Sequence, residues 1–270
     1  MSGYSAPLAT ASVGGPPAVS FALLGADGTV DAARAEHRAM YAASTIKLHV
    51  MCAVLEGIDS GEFASDQVLA ATRMFTGTDG EPFTLEGNHL DHSFPADGTS
   101  VTVAQLLHAM IARSSNEATN MLMQLVGFEA IARQCQRLGL EETRIKRMIG
   151  DAAAIDQGLT NETSALDLAR TMHALVRGHL ASEASTSLAV QALSAQTIPV
   201  IATALRDTVT WGSKSGEVPG IRHDVAFVGA PHSPDGFRTL AVTTSGFNDE
   251  AAANEAIAAL TAALLPDVTG

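Results

Sequence analysis

The sequence predicts an α/β fold in which an antiparallel sheet is assembled from both ends of the chain around an inserted all-α block. Three observations predict it. Apolar residues alternate with a period of two near the N-terminus and again from about Thr208. Between those stretches they recur at helical spacing. The C-terminal strand candidates are joined by connections too short for crossover helices, which makes that part a meander rather than a parallel sheet.

In chain order, residues 1–16 are rich in Ala, Gly, Ser and Pro and read as a loose lead-in. AVSFALLG (18–25) puts Val19, Phe21 and Leu23 on one face, a strand signal, and Ala26-Asp27-Gly28 supplies a turn. A second short extended piece leads to Tyr41. Ser44 then opens STIKLHVMCAVLEGID, a helix running to Gly61. Residues 73–98 form a turn-rich connector that long irregular loops of this kind place beside a cleft. TVAQLLHAMIARS, NEATNMLMQLVG, FEAIARQCQRLG and SALDLARTMHALVRG continue the helical pattern. KRMIGDAAAIDQGLTN, between the last two, has no sustained period and reads as a functional loop.

TVTWGSKSG, RHDVAFVGA and FRTLAVTTSG read as strands, with turns at Pro219-Gly220 and Pro234-Asp235-Gly236. The tail NDEAAANEAIAALTAALL is a helix whose first turn is acidic, as the helix dipole prefers. The expected division is therefore 1–43 with 196–270 as the sheet domain and 44–195 as the all-α domain. The active site is expected at their interface.

Composition narrows the function. A formal net charge of −13 argues against nucleic acid, whose phosphates need a concentrated basic surface. Cys52 and Cys135 lie in apolar helical stretches and read as two buried thiols; no Cys/His cluster has zinc spacing, so neither a metal nor a cofactor is indicated. No apolar run reaches membrane-spanning length, so no membrane partner is expected. The N-terminus lacks a basic segment followed by an apolar one, which reads as cytoplasmic, with export through a removed segment as the alternative. The expected partner is a small-molecule substrate bound to a monomer, a dimer being left open.

Only three of the 16 basic residues are lysines: Lys47, Lys146 and Lys214. Where generic surface charge is wanted this chain uses arginine, so its lysines point to the chemistry of a titratable amine. Lys47 follows Ser44 by three residues, one helical turn along the same face. The helix dipole and burial both depress an amine there, and a neutral amine can take the serine proton. Taken alone, S-x-x-K is an ordinary serine cap. It is accompanied by Ser114-Ser115-Asn116, a polar cluster ending the most apolar helix, and by Lys214-Ser215-Gly216 on a strand, where glycine admits close approach to the backbone.

S-x-x-K, S-x-N and K-[ST]-G in this order, separated by 70 and 100 residues, resemble the signature of class A β-lactamases and penicillin-binding proteins. The resemblance spans about Ala18 to Leu265 and includes Asn120 and the SGEVPGIRH turn. It implies that Ser44 is acylated, Lys47 accepts its proton, and Ser114 shuttles a proton to the leaving nitrogen. It also implies that Asn116 holds a substrate carbonyl, that Lys214, Ser215 and Gly216 receive the substrate carboxylate, and that Arg222 gives a second contact to it. The oxyanion hole would be the backbone N–H groups of Ser44 and Glu217.

The chain departs from that pattern on the loop between helices. Ile149 stands where such β-lactamases carry the glutamate that activates the deacylating water, and Asp151 is the nearest carboxylate, with Asp156 the other candidate. Asn161 stands where an aspartate would pair with an arginine such as Arg147. Glu217 occupies a position that is normally small, where it either pairs with Arg222 or turns to solvent. The histidines have no aspartate partner at triad spacing, and His49 reads as a packing residue. The leading expectation is a β-lactam hydrolase; an esterase, amidase or D-alanyl-D-alanine peptidase is the alternative, and an acyl-trapping penicillin binder is the third.

Overall fold

A computed structural model describes residues 15–233 and 236–270. The lead-in before residue 15 and the expected turn at Pro234-Asp235 lie outside the described residues. Five strands form one antiparallel sheet: β1 (Ala18–Leu24), β2 (Val30–Arg34), β3 (Trp211–Val218), β4 (Ile221–Val228) and β5 (Arg238–Ser245). Their order is β2–β1–β5–β4–β3, so the two ends of the chain meet where β1 pairs with β5. The expected meander is β3–β4–β5, and β3 is the outer strand.

Strand alternation gives the sheet two apolar faces. Val225, Phe227 and Ala241 pack into the core beneath the helices, whereas Ala226, Val228, Leu240 and Val242 pack against Ile257 and Leu265 at the C-terminal helix. Val19, Phe21 and Leu23 join that second face together, as their alternation predicts.

The helices are α1 (Lys47–Ser60), α2 (Val103–Ala112), α3 (Asn116–Arg137), α4 (Ala152–Asp156), α5 (Ala165–Val176), α6 (Glu183–Ser194) and α7 (Glu250–Leu264). Helix α1 is buried along almost its whole length, which explains its all-round apolar sequence, and it ends at Gly61 in the left-handed conformation. The capping box of Thr102 and Gln105 starts α2. The two helical stretches expected after residue 115 form one element broken at Gly127, whose φ of +74° and ψ of 155° no helix accommodates. Ser182 caps α6, a helix that the apolar pattern alone does not mark. Helix α5 packs on β1, β4 and β5, so this part of the inserted block serves as the inner layer over the sheet.

The connector carries a short hairpin, Met74–Thr76 with Pro82–Thr84, and a 3-10 turn at Gly87–His89. Cys52 and Cys135 are buried free thiols, and burial pushes Cys135 up to about 11. Among the described residues no helix is long and apolar enough to cross a membrane, and no group of acidic, histidine or cysteine side chains is placed to hold a metal.

Candidate active site

The nucleophile candidate does not open a regular α-helix. Ser44 sits in a 3-10 turn, Ala43–Ile46, that leads into α1 at Lys47. Ala43 before it has φ +47°, a left-handed conformation that disfavours residues with a Cβ. Ser114, at the α2–α3 junction, has φ +59°. Each such residue costs about 1–3 kcal/mol and persists only where surrounding packing imposes it. Both flank the same cleft.

Two amines converge on one hydroxyl group. Lys47 Nζ donates to Ser114 O at 2.6 Å, to Ser114 Oγ at 3.0 Å and to Asn116 Oδ1 at 2.7 Å. Lys214 Nζ reaches the same Ser114 Oγ at 3.2 Å and donates to Ser215 O at 2.6 Å. Both lysines are fully buried. Burial drives the Lys47 amine well below its ordinary range, and the Lys214 charge pushes it the same way. Burial brings Lys214 down to about 7, with Asp224 opposing the fall and Arg222 adding to it. One amine can therefore be neutral while its neighbour keeps a proton near neutral pH.

Ser44 is joined to this pair through the sheet edge. A methyl group at Gly216 would meet the backbone nitrogens of Ser44 and Thr45 at 2.9 Å, so only glycine lets β3 approach the 3-10 turn so closely. Among the described residues no hydrogen bond links Ser44 Oγ to Lys47 Nζ; the amine is turned toward Ser114 and Asn116. Ser44 is half-buried, so its hydroxyl keeps access to the cleft. Asn116 is held from the other side, its Nδ2 donating to His89 O at 3.0 Å. That bond brings the 73–98 connector to the cleft, where burial, then Arg147 and Lys47, lower the His89 imidazole.

The loop of residues 143–163 is built differently. Asn120 clamps the backbone of Ile149, accepting from its N–H at 2.9 Å and donating to its C=O at 2.8 Å. Asn161 does the same for Arg147, accepting from its N–H at 3.2 Å and donating to its C=O at 3.0 Å. The Arg147 guanidinium turns to Tyr41, donating to its hydroxyl at 2.9 Å with the ring 5.7 Å away. Where an aspartate would pair with the guanidinium, Asn161 binds the Arg147 backbone instead.

Asp151 is occupied structurally. Its Oδ1 caps α4 at Ala154 N, 3.0 Å away, while Oδ2 accepts from Thr78 N at 2.9 Å and Thr78 Oγ1 at 2.7 Å. Both oxygens of the carboxylate expected to serve as general base are thus engaged, by Thr78 and by the start of α4. Asp156 lies at the C-terminal end of α4.

Of the two alternatives for Glu217, pairing with Arg222 is the one observed. Arg222 lies opposite Glu217 in the β3–β4 register, on the face that packs against α7. Its guanidinium pairs with Glu217 and, at 3.4 Å, with Glu250 at the start of α7. The arginine is held by two protein carboxylates. Ser215 lies opposite Asp224 on that same face, while Lys214 and Gly216 share the helix-side face.

Three buried polar residues escaped sequence reasoning. Glu117 takes Ser115 Oγ–H at 2.9 Å and Asp91 N–H at 3.0 Å. His223 bridges Tyr41 O at 3.0 Å and Thr244 N at 3.1 Å. Asp224 receives Val200 N–H and Ile201 N–H at 2.8 Å each, and burial raises its carboxyl. An aspartate inside an apolar strand, as in RHDVAFV, was the readable signal for Asp224. His49 is a packing residue as expected, its imidazole pushed down to about 4 by burial.

Comparison with known proteins places this geometry. A family model described as the beta-lactamase enzyme family matches residues 8–267. A beta-lactamase from Streptomyces lavendulae is 28% identical over 233 residues, covering 84% of this chain and 73% of that protein. The crystal structure of a beta-lactamase from Sphaerobacter thermophilus superposes with a TM-score of 0.78 at 26% identity, covering 92% of this chain and 90% of that one. A structure of PBP-A superposes with a TM-score of 0.76 at 20% identity, covering 94% and 91%, and shares the fold.

Proposed function

This chain belongs to the beta-lactamase enzyme family and is a beta-lactamase-like hydrolase, and from that premise we propose that it opens the amide of a β-lactam through an acyl-enzyme on Ser44. The observation that carries the proposal is the convergence of Lys47 and Lys214 on Ser114 Oγ, with Gly216 pressed against the Ser44 backbone.

The steps follow from the donors. Ser44 Oγ attacks the carbonyl carbon and its proton passes to the neutral Lys47 amine. The carbonyl oxygen gains charge toward the backbone N–H groups of Ser44 and Glu217. As the carbon–nitrogen bond breaks, Ser114 Oγ–H delivers a proton to the leaving nitrogen and is resupplied from Lys47. The protonated Lys214 stabilises the negative end of the substrate. Asn116, fixed between Lys47 and His89 O, offers its amide to the acyl side chain. Water then cleaves the ester and regenerates Ser44.

A second reading has its own observation. Ile149 stands where a water-activating carboxylate is expected, and Asp151 is engaged by Thr78 and Ala154. A site that acylates well and deacylates slowly acts as a penicillin trap, or works on esters and peptides whose acyl-enzymes hydrolyse more readily. Incubation with nitrocefin and a fluorescent penicillin, followed by absorbance and intact mass, separates these readings. Sustained nitrocefin turnover supports the hydrolase. A lasting adduct of one penicillin per chain without turnover supports the trap, and cleavage of a simple ester with neither signal supports the esterase.

A further inference from the structure

We propose that Glu117 is a positioning residue of this site: its buried carboxylate fastens the connector to the strained Ser114–Asn116 turn and stands as the fixed negative charge beside the Lys47 amine. The inference rests on the Ser44 reading above and concerns what holds that site in register.

The turn that carries Ser114 is short and strained. Only Arg113, Ser114 and Ser115 separate α2 from α3, and Ser114 has φ +59°. Such a backbone persists only where its surroundings impose it. Ser115 caps α3, accepting from Ala118 N at 3.3 Å, and its own hydroxyl donates to Glu117 Oε2 at 2.9 Å. Glu117 therefore fixes the side chain that caps the helix at the end of the strained turn.

The other carboxylate oxygen reaches the connector. Glu117 Oε1 accepts from Asp91 N at 3.0 Å and lies 3.9 Å from Arg73 Nε. Asn116, the preceding residue, donates to His89 O at 3.0 Å. Consecutive side chains of α3 thus grip the connector at His89 and at Asp91. Arg113, on the far side of Ser114, adds a third hold on the Asp91 carboxylate at 3.1 Å. Asn116 is also the residue whose Oδ1 receives Lys47 Nζ at 2.7 Å. One clamp therefore sets the connector, the Ser114 turn and the amine in a common frame. Glu117 is fully buried, a position that a carboxylate tolerates only when donors supply its oxygens, as they do here.

The same carboxylate acts on the amine electrostatically. Burial and then Lys214 drive Lys47 down, whereas Glu117 and then Asp91 push it up. The groups facing Lys47 are Lys214 on β3, Glu117 on α3, and Asp91 and His89 on the connector, where His89 is itself lowered by burial, Arg147 and Lys47. Arg73 and Arg113 face the two carboxylates. Removing the Glu117 charge takes away the largest upward push on Lys47, so the amine gives up its proton at lower pH. Lys214 answers to burial, Asp224 and Arg222, so its titration stays in place.

The test follows Ser44 acylation by nitrocefin across pH in the full-length protein, in Glu117→Gln and in Glu117→Asp. It reads the rate constant, the half-saturating concentration and the mass of the Ser44 adduct, with folding checked by near-ultraviolet circular dichroism. Glutamine keeps the shape and an acceptor for Asp91 N but loses the charge. The limb on which the rate rises with pH should move to lower pH by about one unit, the scale of one neighbouring charge. The falling limb near 7 should stay. Aspartate keeps the charge and shortens the reach to Asp91. That limb should then stay, while the half-saturating concentration rises by up to about tenfold, the worth of one hydrogen bond. An unmoved rising limb in folded Glu117→Gln, with Ser44 still acylated, overturns the proposal and leaves the Ser44 reading standing. If glutamine prevents folding, a Glu117→Asp protein whose limb and half-saturation both match the unaltered protein overturns it equally. Absence of a Ser44 adduct in the unaltered protein overturns both.

Discussion

The two sides of the cleft solve opposite problems with the same kinds of atoms. On the attacking side, Lys47 and Lys214 are buried, Ser114 and Asn116 are partly exposed, and their polar atoms face one another in a chain through which a proton can move. On the loop side, Asn120, Asn161 and Asp151 are all buried and hydrogen-bonded, yet each is spent on backbone amides of the loop or on Thr78. The first set holds titratable groups in an energetically awkward environment and thereby keeps them reactive. The second set fixes a loop and engages the Asp151 carboxylate. Burial with titratable neighbours makes chemistry, whereas burial with amide neighbours makes structure.

Replacing the nucleophile should give the largest effect. Ser44→Ala should lower any acyl-transfer rate by at least about a thousandfold, measured as single-turnover ring opening. Comparable rates in the variant would remove the attacking side from the comparison altogether.

The next largest change should come from giving the loop side what it lacks. Ile149→Glu, with its backbone still clamped by Asn120, should speed loss of the acyl group by about a hundredfold, the usual scale for a positioned general base. Intact mass followed over time reads it. An adduct as long-lived as before would mean that the missing carboxylate is not what limits turnover.

The pH profile tests the reactive pair. Lys214 is protonated below about 7 and neutral above it. Acylation by an anionic donor should therefore fall as pH rises through 7, by up to about tenfold per unit. Burial holds Lys47 well below its ordinary range, so its deprotonation sets the limb on which the rate rises with pH. A rate that stays level to pH 9 would contradict the depressed Lys214.

The smallest effect should fall on stability. Asp151→Ala removes a helix cap and the bonds to Thr78, a loss of about 1–2 kcal/mol, or about 2–4 °C in Tm. Acylation should be little changed. A preserved Tm together with a collapse in turnover would restore Asp151 to the catalytic role.

These outcomes bear on what could be read beforehand. Strand alternation placed Val19, Phe21 and Leu23 on one face, and the scarcity of lysine singled out Lys47 and Lys214, because burial and titration are local properties that leave a mark on composition and period. Other features depend on what the chain meets after folding. Nothing adjacent to Asp151 announces Thr78, 73 residues away, as its partner. Arg222 could be placed on a strand by pattern, but its face is set by the β3–β4 register and its engagement by Glu250 on a distant helix. The left-handed backbone at Ala43 and Ser114 is likewise imposed by packing, since neither residue type asks for it.

Peptide mapping after brief exposure to benzylpenicillin tests the central claim most directly. The account predicts one added penicillin mass, confined to the peptide containing Ser44 and absent from Ser44→Ala. A modification on any other residue, or one that persists in Ser44→Ala, would contradict it.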